Sequence, residues 1–195
     1  MEEKTRYLDI ENLSICKITE DDSEALSSFF CGRAELDDFF HNQILICAKH
    51  HYVSAYCVRD TITSDILAVF TLANDAVIVD NMEDREDFIE QSSLKINKEY
   101  ISTFEKQTSF PAVNIGHLGV KTGFQSLSIG QMVIDFVLFT FSQFDISGCQ
   151  FVTVDSLNNP RTNKFYMTNR FLLQTSLDIF NETRRMYLPI QFYKD

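Results

Sequence analysis

The chain has 195 residues, of which 45% are hydrophobic, and its formal net charge at pH 7 is -11. This length and composition predict one globular domain with a real core, and they exclude a disordered or low-complexity chain. The acidic balance argues against a general nucleic-acid binder, because such proteins normally carry a basic face.

Signals for secretion, membrane insertion and metal binding are missing from the sequence. The N-terminus is charged and has no apolar run behind it, which argues against a signal peptide. The most apolar stretch, 129–144, is interrupted by polar residues and is shorter than the ~20 residues of a membrane span. The five cysteines show no CxxC spacing, which argues against a zinc site or a disulfide framework. We therefore expect a cytoplasmic protein with no membrane segment and no metal site.

The first third of the chain predicts a strand, two helices and a hairpin. Apolar and polar residues alternate over 14–19, as in a half-buried strand. A helix start follows at Asp21, and apolar residues recur every three or four positions over 34–50, which predicts a helix with one buried face. Two β-rich runs, 52–59 and 66–73, flank a polar turn and predict a hairpin.

The next stretch is strongly acidic. Between residues 75 and 90 it holds seven Asp or Glu against one Arg, a local charge of -6. We predict that 79–107 is an insertion carrying one or two surface helices. Charged runs of this kind are usually solvated faces, and the alternative is a wall that faces a substrate or partner.

The second half predicts a further series of elements. In chain order these are a strand at 110–120, a polar loop at 121–128, a buried helix at 129–144, a strand at 151–154, a helix at 159–169 and two final antiparallel strands at 171–177 and 184–190. The whole order predicts a mixed α/β domain. The strand–helix–strand unit within 112–154 is expected to be parallel, because its two strands are joined by a crossover helix.

The loop before the long apolar helix has the character of an anion site. A helix start presents amides without intrahelical acceptors and a partial positive charge, and it can bind phosphate without Lys or Arg. Gly130 lets the backbone approach a ligand closely, and Ser126 and Ser128 add hydroxyl donors. The sequence thus predicts an anion, phosphate above all, at 125–130. A plain strand–loop–helix connection with a Ser cap is an equally open interpretation.

This segment resembles the pyrophosphate loop of the GNAT acetyltransferases, which reads Gln/Arg-x-x-Gly-x-Gly/Ala after a strand that ends in Leu-Ala-Val. The chain has Leu118-Gly119-Val120, followed by Gln125 and Gly130 at the matching positions. Ser128 replaces the middle glycine of the pattern.

Two other segments extend the resemblance. A helix that begins at Asn159, carries Phe165-Tyr166 and leads into Phe171 is similar to a helix of the family, and Asn169 is expected to supply the left-handed turn where the family has Gly. The segment from Phe29 to Phe40 is similar to the Phe-x-Cys-Gly-x-x-x-Leu-x-x-Phe pattern of one GNAT branch. That branch includes the toxin acetyltransferases of bacterial toxin–antitoxin pairs, which acetylate aminoacyl-tRNA.

The resemblance implies a single acyl-CoA N-acyltransferase domain over 1–195. It implies a twisted mixed sheet of six to seven strands flanked by helices, with two splayed central strands that admit acetyl-CoA. It implies an acetyltransferase that moves acetyl to a primary amine by direct attack, with Tyr166 as the acid that protonates the departing thiolate. The cofactor-binding residues that it implies are Leu118, Gly119, Val120, Gln125, Ser126, Leu127, Ser128, Ile129, Gly130 and Asn159.

The acceptor and the general base are left open by the sequence. His117 precedes Leu118 on the cofactor strand, where it either takes a proton or, as we favour, lines the cleft. The acceptor amine belongs to a small molecule, a protein or peptide, or an aminoacyl-tRNA, and the net charge disfavours tRNA. The rival interpretation is a degenerate GNAT fold that serves as a non-catalytic binding or regulatory module. A homodimer and an antitoxin partner are also open.

Overall fold

The computed structural model describes residues 10–79, 82–93 and 98–190. By their contacts the described residues form two compact units. Unit 1 contains 10–71 and 117–133, and unit 2 contains the rest.

Seven strands among the described residues form one sheet in the order β1-β2-β3-β4-β5-β7-β6. Their bounds are β1 Leu13–Lys17, β2 Ser54–Asp60, β3 Ile66–Ile78, β4 Ser109–Val120, β5 Phe151–Leu157, β6 Leu172–Leu173 and β7 Thr183–Pro189. β4 and β5 are parallel, whereas the β1–β2, β5–β7 and β6–β7 pairs are antiparallel. The predicted mixed α/β fold with six to seven strands is confirmed.

The helices follow the predicted order with one interruption. Their bounds are α1 Ser23–Ser27, α2 Ala34–Asn42, α3 Ile44–Lys49, α4 Met82–Ser93, α5 Ile101–Phe104, α6 Ile129–Ser142 and α7 Pro160–Thr168, with short 3-10 helices at Ile10–Asn12 and Glu20–Asp22. The single helix predicted over 34–50 is wrong, because Gln43 leaves helical geometry at φ -123° and ψ -32°. Phe40 before the break and Ile44 after it are both buried in one core. None of the helices in the described ranges is long and apolar enough to cross a membrane.

The long helix α6 was predicted to be apolar and buried nearly all round, and this is only partly correct. Val133, Ile134 and Val137 are buried, as the apolar run predicts. Asp135 and Phe139 are exposed, so the helix has one solvent face.

The core of unit 1 requires a glycine on β4. A Cβ at Gly119 would lie 2.6 Å from Cε2 of Phe40 and 3.2 Å from Sγ of Cys31. Phe40 of α2 is fully buried, so it has little room to move. The middle residue of Leu118-Gly119-Val120 is therefore fixed by packing against α2.

We expect Gly119→Ala to destabilise the protein by about 1–3 kcal/mol, because overpacking forces neighbouring side chains off their rotamers. The free energy of unfolding in urea measures the effect. Gly148→Ala is the matched control, since a Cβ there would meet only Pro111 Cγ, at 3.9 Å. Equal stability of the two variants would contradict the tight approach of Phe40.

The core of unit 2 is aromatic and includes the acidic stretch. Phe88 of α4 lies with its ring centroid 5.9 Å from Phe104, 4.9 Å from Phe110 and 5.3 Å from Phe151. Both Phe88 and Phe104 are fully buried, so α4 and α5 cover this core while Glu86 and other acidic residues face solvent. That 79–107 is an insertion relative to the family stays a prediction. Residues 80–81 and 94–97 of it lie outside the described residues.

The two parallel strands pair over a short distance only. The ladder joins Ala112–Asn114 of β4 to Phe151–Thr153 of β5. Both strands continue, β4 to Val120 and β5 to Leu157, without further pairing between their described residues. The ladder between the two central strands therefore ends at Asn114 and Thr153.

The strand predicted over 171–177 is much shorter than expected. β6 contains only Leu172 and Leu173, and the antiparallel partner β7 is reached by a loop rather than by a tight turn. The buried carboxylate of Asp178 accepts hydrogen bonds from Arg184 Nε at 3.0 Å and from the Arg185 amide at 2.7 Å. The amide of Gln174 still donates to the Arg185 carbonyl of β7 at 3.0 Å, and the Asp178 bonds anchor the loop that follows.

Candidate active site

The loop that follows β4 is held within unit 1 by hydrogen bonds from its backbone and from one side chain. The amide of Lys121 donates to the Leu67 carbonyl, and the amide of Thr122 donates to the Phe30 carbonyl, both at 2.8 Å. Nε2 of Gln125 donates to the carbonyls of Cys31, at 2.8 Å, and Val120, at 3.1 Å. The Gln125 amide group thus ties the loop to the Phe29–Phe40 segment.

The loop residues before α6 have unusual backbone angles. Ser126 and Ser128 both adopt a left-handed φ of 63°, a region that residues with a Cβ seldom visit. The amide of Met132 donates to the Ser128 carbonyl at 3.0 Å. The amides that come before it at the start of α6 have no acceptor within the helix. Turns of this kind direct successive amides toward one point and form anion-binding concavities. Ser128, which stands at the middle glycine of the GNAT pattern, is thus left-handed.

We expect Ser128→Gly to stabilise the protein by about 1 kcal/mol, because glycine adopts the left-handed region without the steric penalty of a Cβ. Thermal and urea unfolding measure the gain. Ser102→Gly, in the exposed part of α5, should have the opposite sign, since glycine in a helix lowers stability by about 0.5–1 kcal/mol. A destabilised Ser128→Gly variant would show that the serine hydroxyl, rather than the loop geometry, matters at this position.

His117 lies on β4, immediately before the predicted cofactor residues. Its ring stacks on Phe39 at a centroid distance of 3.7 Å and an interplanar angle of 5°. Nδ1 lies 3.1 Å from Oγ1 of Thr71. Burial lowers the pKa of His117 below its ordinary value, so the imidazole is neutral at pH 7.

The second group of predicted residues lies on α7 in unit 2. Asn159 caps the helix, and its Oδ1 accepts from the Thr162 amide at 3.0 Å, with Pro160 in the first turn. Tyr166 is buried, with its ring centroid 5.0 Å from that of Phe165 and 5.2 Å from that of Phe171. Burial raises the pKa of Tyr166, so the phenol stays protonated at pH 7. Its hydroxyl has no hydrogen-bond partner within the described ranges.

The turn after α7 differs from the sequence prediction. Asn169 was expected to be left-handed but has φ -87°, and the left-handed residue is Arg170 at φ 66°. The Asn169 side chain instead donates from Nδ2 to the Phe165 carbonyl at 2.8 Å and so caps the end of the helix. The prediction erred by one position because this side-chain bond requires Asn169 to stay near the helix axis.

A polar row that the sequence did not predict crosses the strands of unit 2. Thr153 and Arg185 both donate to Oδ2 of Asp75, and Asn114 Nδ2 donates to Thr153 Oγ1 at 3.1 Å. Burial alone would raise the pKa of Asp75, but the bonds from Thr153, the backbone and Arg185 outweigh it and lower the pKa. The row thus places an ionised carboxylate where β4 and β5 part. No local pattern could reveal it, because its members come from four separate strands.

Toxins are among the solved structures that are similar to this chain. A point-mutant AtaT toxin, bound to the C-terminus of the antitoxin AtaR and to acetyl-CoA, is 16% identical, with 94% of this chain and 96% of that chain covered at a TM-score of 0.68. AtaT complexed with acetyl-methionyl-tRNA is 18% identical, with 93% and 97% covered at a TM-score of 0.70. A further structure, described as a bacterial toxin, is 15% identical, with 93% of each chain covered at a TM-score of 0.72.

The chain has the fold of these toxins. The GNAT-like architecture expected from the sequence is thereby confirmed. No protein-family model matches the chain, and no curated protein matches it in sequence. Within the described residues no cluster of His, Cys, Asp and Glu could hold a metal ion.

Proposed function

We propose that the chain is an acetyl-CoA-dependent N-acetyltransferase that moves acetyl to a primary amine by direct attack. The observation that carries the proposal is the loop at 125–130, whose left-handed serines lead into the amides at the start of α6. The same fold in AtaT holds acetyl-CoA.

The loop suits a diphosphate for two physical reasons. The amides of Ile129 and Gly130 lie at the positive end of the α6 dipole, and anions are stabilised there. The brace from Gln125 and the two left-handed serines hold the backbone in place before the ligand arrives, which lowers the entropy lost on binding. The backbone groups of Leu118 and Val120 would then pair with the pantetheine arm.

The proposed chemistry needs one acid. The neutral amine attacks the thioester carbonyl carbon, a C–N bond forms, and the C–S bond breaks as the electron pair moves to sulfur. Tyr166 donates its phenolic proton to the departing thiolate, and the proton released by the attacking nitrogen restores the phenol through solvent. Burial raises the pKa of Tyr166, so the phenol carries its proton before each turnover.

One feature of unit 2 bears on the acceptor. The exposed side chains of Lys164 and Arg170, on and just after α7, suit a phosphate backbone. Together with the AtaT complex that holds acetyl-methionyl-tRNA, they favour an aminoacyl-tRNA as the second candidate acceptor. The net charge of -11 opposes it.

Ligand-dependent unfolding tests the cofactor assignment. Acetyl-CoA at about a hundredfold above its dissociation constant should stabilise the fold by ~2.7 kcal/mol, and free acetate should not. An acetylation assay with small amines, peptides and aminoacyl-tRNA then ranks the acceptors. Absence of stabilisation would instead support the non-catalytic module.

We also propose a cytoplasmic location. All five cysteines are free thiols. Unpaired cysteines are typical of a reducing compartment.

A further inference from the structure

The hydroxyl of Thr71 makes two hydrogen bonds to the same residue. Its oxygen accepts from the backbone amide of His117 at 3.1 Å and lies 3.1 Å from Nδ1 of the same imidazole. Thr71 is fully buried, with 0% of its surface exposed. No solvent reaches this contact from the threonine side.

The position of one proton follows from this geometry. A hydroxyl has one proton to donate, and the part of the chain that the structure describes offers the Thr71 proton no acceptor other than Nδ1 of His117. If Nδ1 carried the ring proton, the buried Thr71 proton would be left without an acceptor, an arrangement that proteins avoid. Nδ1 is therefore the acceptor, and the ring proton lies on Nε2.

The ring is also fixed in orientation. Phe39 stacks almost parallel to the imidazole, and Phe40 approaches it edge-on at a centroid distance of 6.5 Å. A flip of the imidazole would break the bond to Thr71, because a ring carbon would then take the place of Nδ1 beside the hydroxyl proton. The Nε2–H edge has no protein partner within the described ranges, and His117 is only partly buried.

We infer that Thr71 holds His117 as a neutral hydrogen-bond donor that recognises a carbonyl oxygen of the acceptor substrate. This rests on the proposed acetyltransferase function. A protonated Nε2 cannot take a proton from the amine, so His117 is a specificity residue and Thr71 its positioning residue. The Nε2–H group donates a hydrogen bond to an oxygen lone pair, whereas it repels an ammonium group. The acceptor that fits has its amine next to a carbonyl, as in an α-aminoacyl group, in preference to a simple alkylamine.

Nitrogen NMR of the histidine side chains tests the tautomer without any turnover. Wild type and Thr71→Ser, which keeps the hydroxyl, should show His117 with the proton on Nε2. Thr71→Val, which has the same shape without a proton donor, should move His117 toward the Nδ1–H form or a mixture. Assignment comes from His117→Gln, in which the resonance is missing. A wild-type ring protonated on Nδ1, or identical spectra for Thr71→Ser and Thr71→Val, would overturn the tautomer assignment.

Binding of two probes tests the recognition. Methioninamide and 3-(methylthio)propylamine differ only in the carboxamide, so NMR titration of the wild type should show about tenfold tighter binding of the amide. His117→Gln, which retains an N–H donor near the Nε2 position, should keep this preference, and His117→Leu should lose it. Equal binding of the probes by the wild type, or no binding of either, would overturn the role of His117. The acetyl-CoA stabilisation described above reports separately on the proposed function.

Discussion

We expect Tyr166→Phe to lower kcat by about 10²–10⁴-fold, the usual contribution of a positioned general acid. The dissociation constant of acetyl-CoA should stay within about twofold of the wild type, because the variant removes one hydroxyl and leaves the ring. That hydroxyl has no hydrogen-bond partner in the described part of the chain, so the contacts with Phe165 and Phe171 persist. Single-turnover kinetics with saturating acetyl-CoA measure the effect on the chemical step.

A second buried tyrosine supplies the control. The phenol of Tyr187 also has a pKa raised by burial, to about 12, and it donates to Gln91 Oε1 at 3.3 Å in the aromatic core. Tyr187→Phe should reduce stability slightly and leave kcat unchanged. An equal fall in kcat for both variants would point to packing, and an unchanged kcat in Tyr166→Phe would remove this residue from the mechanism.

Elements with a clear hydrophobic period could be predicted from the sequence. The alternation that begins at Ser14 and the apolar run that begins at Ile129 each produced an element within a few residues of its predicted bounds. The parallel pairing of β4 and β5 followed from the crossover helix between them. These features depend on residues that are close in sequence, which is why a local pattern identifies them.

Features that depend on distant contacts could not be predicted. Gln43 leaves helical geometry inside a continuous helical pattern, and no residue of that pattern marks the break. The segment 79–107 was predicted to form surface helices, yet its Phe88 and Phe104 are buried in the core of unit 2. The loop after β6 is anchored by the bond from Arg184 to Asp178. The strand propensity of the loop residues does not reveal this bond.

The candidate site shows the same division. The glycine pattern located the loop, and the left-handed φ of Ser128 occurs at the position where the pattern has glycine. The pattern did not reveal that Gln125 bonds to the Cys31 carbonyl, or that Thr71 contacts His117. A site that depends on particular residue types at a short spacing could therefore be predicted from the sequence. The contacts that orient its residues could not, because they join residues that are distant in sequence.

The start of α6 offers the second large effect. We expect Gly130→Glu to lower the affinity for acetyl-CoA by about 100–1000-fold. A carboxylate about 4 Å from a diphosphate costs on the order of 4 kcal/mol at an effective dielectric constant of ~20, which is close to a thousandfold in the dissociation constant. The fold itself should not suffer, because a negative charge in the first turn of a helix is favourable by about 0.3–1 kcal/mol. Calorimetry of acetyl-CoA binding and thermal unfolding separate the two effects.

Two substitutions at the same position separate bulk from charge. Gly130→Ala should bind acetyl-CoA within about tenfold of the wild type, since the last position of the GNAT pattern accepts alanine. Gly130→Gln has the size of the glutamate variant without its charge, and its affinity should fall between those of the alanine and glutamate variants. Raising the salt concentration should reduce the gap between Gln and Glu, because screening weakens an exposed like-charge repulsion. If the glutamate variant binds acetyl-CoA as the wild type does, the diphosphate does not lie on the amides of α6, and the loop at 125–130 is then only a connection between a strand and a helix.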